Sequence, residues 1–258
     1  MPGGGPPPSA AGHTPLPLEA LLQKTSRSQT AEDRSFALGS GDLARYIAGM
    51  SDFDPSSDGG AAGSEDIVAR LLDEIPLLYK ARAFAESIKD PAFFSRLGEP
   101  LDRREVTLAR AYLDGLGFPE AEPASLGDWE DAIAAAEAGD VDGGAWEAEE
   151  MIRTGLVEAA LARLDEEALQ AAQMLVASKI GEIAREAAEA AGAIDDVFDE
   201  SVINAAAGGL VQAANGAVLV LLAEAEDQEP PHPFLARWRL YVRGRWPVGL
   251  AGATLNIL

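Results

Sequence analysis

Three groupings of side chains have the types and spacing that chemistry needs. Asp195, Asp196 and Asp199 set carboxylates about one helical turn apart, with Glu200 next to them. Carboxylates so spaced can share a hard cation, which makes this run a candidate magnesium seat. Asp54, Ser56, Asp58 and Glu65 place oxygen ligands at positions one, three, five and twelve of a loop, with Gly59 at the sharp-turn position. That spacing suits calcium, whose coordination sphere takes many oxygens. The third grouping is the C-terminal run of Arg237, Trp238, Arg239, Tyr241, Arg243, Arg245 and Trp246. Arginine and aromatic side chains anchor interfaces, because they combine contact area with forked or stacked bonding. Trp129, between Asp128 and Glu130, and Trp146, followed by Glu147, join these as candidate partner-binding residues.

The first grouping resembles the D-D-x-x-D motif of class I terpene and prenyl synthases, and the resemblance implies magnesium held on a diphosphate. It covers six residues; the family's second metal motif does not follow, and 58 residues remain downstream. The same acids suit a helix N-terminus, where carboxylates cap free amides and complement the helix dipole, and this is the preferred reading. The second grouping resembles an EF-hand calcium loop, and Tyr46, Ile47, Met50 and Phe53 resemble the apolar face of its entering helix. It departs from that pattern at Gly60, Ala62 and Asp66, and a second partial match, Asp140, Asp142, Gly143 and Glu149, has Ala138 at the first ligand position. An acidic Gly/Ser linker is the preferred reading there. The pairs Glu147/Glu150 and Glu186/Glu189 are similar to those of helical magnesium-dependent nucleotide hydrolases, without that pattern's second half. His13 lies among prolines and glycines and His232 between two prolines, and no HExxH, P-loop, glycine-rich dinucleotide turn or nucleophile elbow occurs. No cofactor and no metal is favoured, with calcium at 54–65 or magnesium at the helical carboxylates as the alternative.

Charge narrows the classes further. The chain has 258 residues, 43 acidic against 20 basic, and a formal net charge of −23. Such a body repels phosphate-rich surfaces, so nucleic acid and anionic membranes are not expected partners for it. The absence of cysteine removes disulfides, thiol nucleophiles and thiolate metal sites, and fits a cytoplasmic setting. The charge is also unevenly spread. Residues 111–152 hold twelve acids and no lysine or arginine, whereas 229–258 hold four arginines against Glu229. The few lysines and abundant alanine also fit a GC-rich genome, and an acidic surface fits a salty cytoplasm.

The elements that must position these residues read as helices. Residues 1–17 form a Pro/Gly tail with no apolar periodicity, expected to be disordered. A single helical domain is expected over 18–258, with 118–125 as the point where it would subdivide. Helices are expected over 42–50, from Ser64 to Ile88 with a kink or split at Pro76, and over 91–97, 102–116, 126–138, 144–163, 166–191 and 200–225. Residues 201–223 carry no charge over 23 positions, long enough to span a bilayer. Their alanines and glycines, the polar Asn204, Gln212 and Asn215, and the acids on either flank make this a central bundle helix instead. The segments 246–250 and 253–258 read as a small β-hairpin. The fold class expected is all-α, a multi-helix bundle around the helix at about 200–225 with that hairpin attached.

The function expected is a non-enzymatic acidic helical interaction protein: an adaptor, regulator or immunity-type inhibitor whose acidic face binds a protein partner, a basic one by charge. Homo-oligomers are compatible with this, and no membrane partner is expected. In the competing arrangement the C-terminal aromatics anchor the last segment to the bundle, and its arginines pair with the acids of 120–150.

Overall fold

A computed structural model describes residues 75–88, 92–139, 143–197 and 199–258. The tail at 1–17, the helix at 42–50, the candidate calcium loop with Asp54, Ser56, Asp58 and Glu65, and the run from Ser64 up to Glu74 lie outside the described residues. Within them the chain forms seven helices and three short strands: a mostly α-helical bundle with a small C-terminal sheet.

Helix α1 (Leu78–Ser87) begins two residues after Pro76. Helix α2 (Arg103–Leu116) starts at Asp102, whose side chain accepts from the backbone amides of Arg104 and Glu105 while the Glu105 side chain accepts from the Asp102 amide. This reciprocal capping box satisfies donors that helix N-termini leave free. Strand β1 (Glu122–Ser125) and helix α3 (Trp129–Gly139) follow, then α4 (Gly143–Leu161). Helices α5 (Glu166–Ile194) and α6 (Glu200–Leu222) are capped by Asp165 and Asp199, and His232 caps α7 (Pro233–Val242). Strands β2 (Pro247–Ala251) and β3 (Thr254–Ile257) complete the fold.

The long helices α5 and α6 lie against each other through small side chains. Ala172, Val176, Ile180, Ala184 and Ala188 recur every four residues on α5, and Ile203, Ala206, Leu210, Ala213 and Ala217 at steps of three and four on α6; all ten are buried. Alanine at the contact lets the two backbones approach closely at little side-chain entropy cost. Among the described residues α6 is the one helix long and apolar enough to cross a membrane, and 61% of its most apolar window is buried inside the fold. Burial of that kind marks the central helix of a bundle.

Two features depart from the expected elements. Residues 92–97 form turns rather than a helix, and Phe94 sits at a φ of 58°. That left-handed conformation is costly for a bulky residue, and it is offset here by burying Phe93 and Phe94 against Trp238 and Tyr241. The expected hairpin β2–β3 is present, but β1 also pairs with β3 in parallel, giving the order β1-β3-β2. Glu122-Pro123-Ala124-Ser125 has no apolar alternation, so its strand character comes from the partner edge rather than from its own side chains.

The core has two parts. The larger joins α1, α5, α6 and one side of α7; the smaller lies between α2, the other side of α7 and the sheet. Helix α7 therefore sits between both: Phe234, Leu235, Trp238 and Tyr241 face the first, Ala236 and Leu240 the second.

Candidate functional site

The arginine and aromatic run of α7 and the turn after it faces inward. Trp238 packs on Phe84 and Phe93 at ring-centroid distances of 5.2 and 5.7 Å, and Tyr241 meets Phe94 edge-on at 6.1 Å. Trp246 lies on Trp129 at 5.3 Å, and both indoles are buried. Offset and edge-on contacts of this kind are favourable beyond the area they bury.

The arginines go to two carboxylate centres. At the first, Glu105 is fully buried and accepts from Arg96 at 2.6 Å, from Arg245 at 3.0 Å and from the Asp102 amide at 2.9 Å, with Arg243 at 3.5 Å. Asp102 accepts from Arg96 at 3.3 Å and from Arg243, and Glu99 from Arg96 at 2.9 Å. Three carboxylates thus balance three guanidinium groups. Arg245, also fully buried, donates in addition to the carbonyls of Arg96, Glu99 and Pro100, so it ties the loop before α2 to the turn after α7. The amide of Glu105, followed by the guanidinium groups of Arg243 and Arg96, holds the Asp102 carboxyl down to about 2. Burial alone would raise Glu105, but Arg245 and the Asp102 amide outweigh it and keep its carboxyl below the usual range.

Gly244 makes that turn possible. Its φ is +84°, and a Cβ there would lie 2.6 Å from Ser95 Oγ and 2.9 Å from the Ala92 carbonyl. The Gly244 carbonyl accepts from the Arg96 amide at 3.1 Å, continuing the same seam through the backbone.

The second centre is Glu149 on α4. It accepts from Arg237 at 2.8 and 2.9 Å and from the Tyr112 hydroxyl, bringing α2, α4 and α7 together. Burial raises the Tyr112 phenol well above its ordinary value, and Glu149 adds to this; for Arg237, Glu149 overrides burial and holds the guanidinium charged. Tyr241 is pushed up to about 12 by burial, although Arg237 opposes the shift. Gly209 on α6 admits the Tyr241 hydroxyl, which would lie 2.5 Å from any Cβ at that position.

Among the described residues, then, only Glu149 of the acids of 120–150 meets a C-terminal arginine; Arg243 and Arg245 go to Asp102 and Glu105 instead. Arg239 is exposed and pairs with nothing among the described residues. Asp195, Asp196 and Asp199 lie in the turn between α5 and α6 rather than on one helical face. Asp196 has a φ of 58°, and Asp199 is spent as a cap, accepting from the Ser201 amide at 2.8 Å and its hydroxyl at 2.6 Å. Among the described residues no group of three or more His, Cys, Asp or Glu side chains converges to hold a metal ion.

Trp146 is placed differently from the other tryptophans. It is 57% exposed on α4, and five residues on, Met151 is 75% exposed. With Glu147, Glu150, Thr154 and Glu158 they line a shallow open depression of about 530 Å³. Sequence reasoning named Trp146 but missed Met151 and Glu158; the signal was the helical spacing of Glu147, Met151, Thr154 and Glu158 at steps of four, three and four along α4. It also missed Glu105, which stands on the apolar stripe of α2 three residues after a capping aspartate.

No protein-family model, curated protein or solved structure matches this chain.

Proposed function

We propose that this chain is a non-enzymatic, acidic helical interaction protein, acting in the cytoplasm as an adaptor, regulator or inhibitor that engages a basic protein partner. The observation that supports this reading most is the division of charge. Arg245 is buried and Arg96, Arg237 and Arg243 are half-buried against carboxylates, whereas Glu120, Asp128, Glu130, Glu137, Glu147 and Glu158 are exposed. Among the described residues the exposed carboxylates outnumber the exposed cations, which leaves a surface field that attracts a basic protein, speeds its encounter and rejects acidic competitors. Asp102, Glu105, Tyr112 and Tyr241, among the groups with shifted behaviour, sit between packed elements, which suits a structural role.

The test is co-purification of the full chain from its native host at 50 and 500 mM salt, followed by native mass spectrometry. A stoichiometric basic partner held at low salt and released at high salt is expected. Its loss from a variant with Glu130, Glu137, Glu147 and Glu158 changed to glutamine would support the role of the acids. A bare monomer at both salts would overturn the reading.

A further inference from the structure

Trp146, Glu147, Glu150, Met151, Thr154 and Glu158 follow one another at steps of one, three and four, so they share one face of α4 over more than three turns. The opposite side of the helix is fixed to the body: Leu156 and Ala160 are buried, and Glu149 is clamped by Arg237 and Tyr112. The outer face is thus presented on a rigid element, which lowers the ordering cost of binding. Two large apolar side chains, exposed at 57% and 75%, stand between carboxylates.

We propose that this outer face of α4 is the docking surface for a basic amphipathic helix of a partner protein, with Trp146 and Met151 as its apolar anchors. The inference rests on the interaction reading above and names its site. The depression is long, shallow and open, which suits a helix laid along it better than a small ligand that needs enclosure. Charge complementarity selects the occupant. Glu147, Glu150 and Glu158 rim the anchors, and Glu150 is the one that also has a cation nearby, Arg153 at 3.2 Å. A second copy meeting this face two-fold would set the same carboxylates against each other, which disfavours self-association here. Methionine beside an exposed indole gives a surface that adapts to the partner's own apolar residues.

The experiment uses the full chain and two synthetic peptides of eighteen residues. One carries leucine and lysine in amphipathic helical order, the other the same composition scrambled. Trp129, Trp238 and Trp246 are buried, so acrylamide quenching of the free protein reports chiefly on Trp146. Trp146 is expected to quench readily before peptide is added, then to blue-shift and become shielded by the amphipathic peptide at low salt. The scrambled peptide should bind at least tenfold more weakly. With binding read by the anisotropy of a dye on the peptide, Trp146→Ala, and separately Glu147→Gln with Glu158→Gln, should each weaken the amphipathic peptide at least tenfold while leaving the melting temperature unchanged. The proposal is overturned if Trp146 is already shielded in the free chain, if Trp146→Ala binds as tightly as the wild type, or if the free protein dimerises through this face. Equal, salt-sensitive binding of both peptides would remove the α4 site and leave the interaction reading standing. No binding of either peptide at low salt would overturn the α4 site, and the salt-dependent co-purification decides the interaction reading separately.

Discussion

Glu105 shows how much can depend on one side chain. It lies on the buried face of α2, where an unpaired carboxylate would be intolerable, and is kept ionised by Arg96, Arg245 and the Asp102 amide. Glu105→Gln leaves guanidinium charge buried without its counter-ion, and removing one member of a buried pair costs about 3–5 kcal/mol. Urea unfolding should register a loss of that order. Glu189→Gln, which breaks the exposed pair with Arg185, should change stability by less than about 0.5 kcal/mol. His232 adds a pH dependence. Its Nδ1 accepts from the Phe234 amide at 3.2 Å to cap α7, and burial holds the ring below its ordinary value of 6.5. The unfolded chain therefore binds this proton more readily than the folded one. The stability contributed by the neutral ring is complete above about pH 6.5 and is lost as pH falls through the depressed folded value. In His232→Asn the amide oxygen can accept the same bond without titrating. The wild type should lose more stability than this variant between pH 7.5 and 5; equal losses would show that His232 contributes nothing to the slope.

At the scale of elements, α7 and the turn after it hold the two halves of the core together, and Gly244 is the weak point. Gly244→Ala must place a Cβ at positive φ and within 3 Å of Ser95 and the Ala92 carbonyl. A cost of at least about 1–3 kcal/mol is expected, read as a lower melting temperature. The helices themselves were largely legible from residues. Asp102, Asp165 and Asp199 mark three of the N-termini, and Asp199→Ala should cost about 1 kcal/mol by removing its cap. What could not be read locally is what depends on distant partners. Residues 92–97 carry a helix-compatible composition, yet Phe94 is drawn out of helical geometry to reach Tyr241, far away in sequence. Strand β1 has no pattern of its own and exists because β3 offers a free edge. The candidate interaction residues divide in the same way. Arg and aromatic types point equally well to an exterior anchor or to an interior tie, and only the position of α7 between two cores separates Trp238 and Arg245 from Trp146.

For the molecule as a whole, the net charge of −23 sets a background of self-repulsion. The Glu105–Arg245 pair is fully buried and its neighbouring pairs are half-buried, whereas the outer carboxylates are open to solvent, and the Debye length is about 10 Å at 0.1 M salt. Raising sodium chloride from 10 to 200 mM should therefore raise the melting temperature, because screening relieves surface repulsion more than it weakens the buried pairs. A fall over the same range would mean that the ion pairs dominate stability.

The strand order β1-β3-β2 also carries a consequence for how the chain is made. Strand β3, the last of the described strands, is the middle one, and Trp246 and Leu258 exchange both backbone bonds at its end, at 2.7 and 2.9 Å. During synthesis the alanine-lined pair α5 and α6 emerges well before its covering helix α7 and the strand that closes the sheet. Until residues 233–258 have left the ribosome, the face of α6 at Gly209 and Gly216 lacks Tyr241 and Phe234, and β1 has no edge to join. Nascent chains arrested after Leu222 should thus be cleaved readily by protease, and those extended past Leu258 by a linker long enough to clear the exit tunnel should resist. Completion of this bundle is expected to wait on β3 rather than on its longest helices.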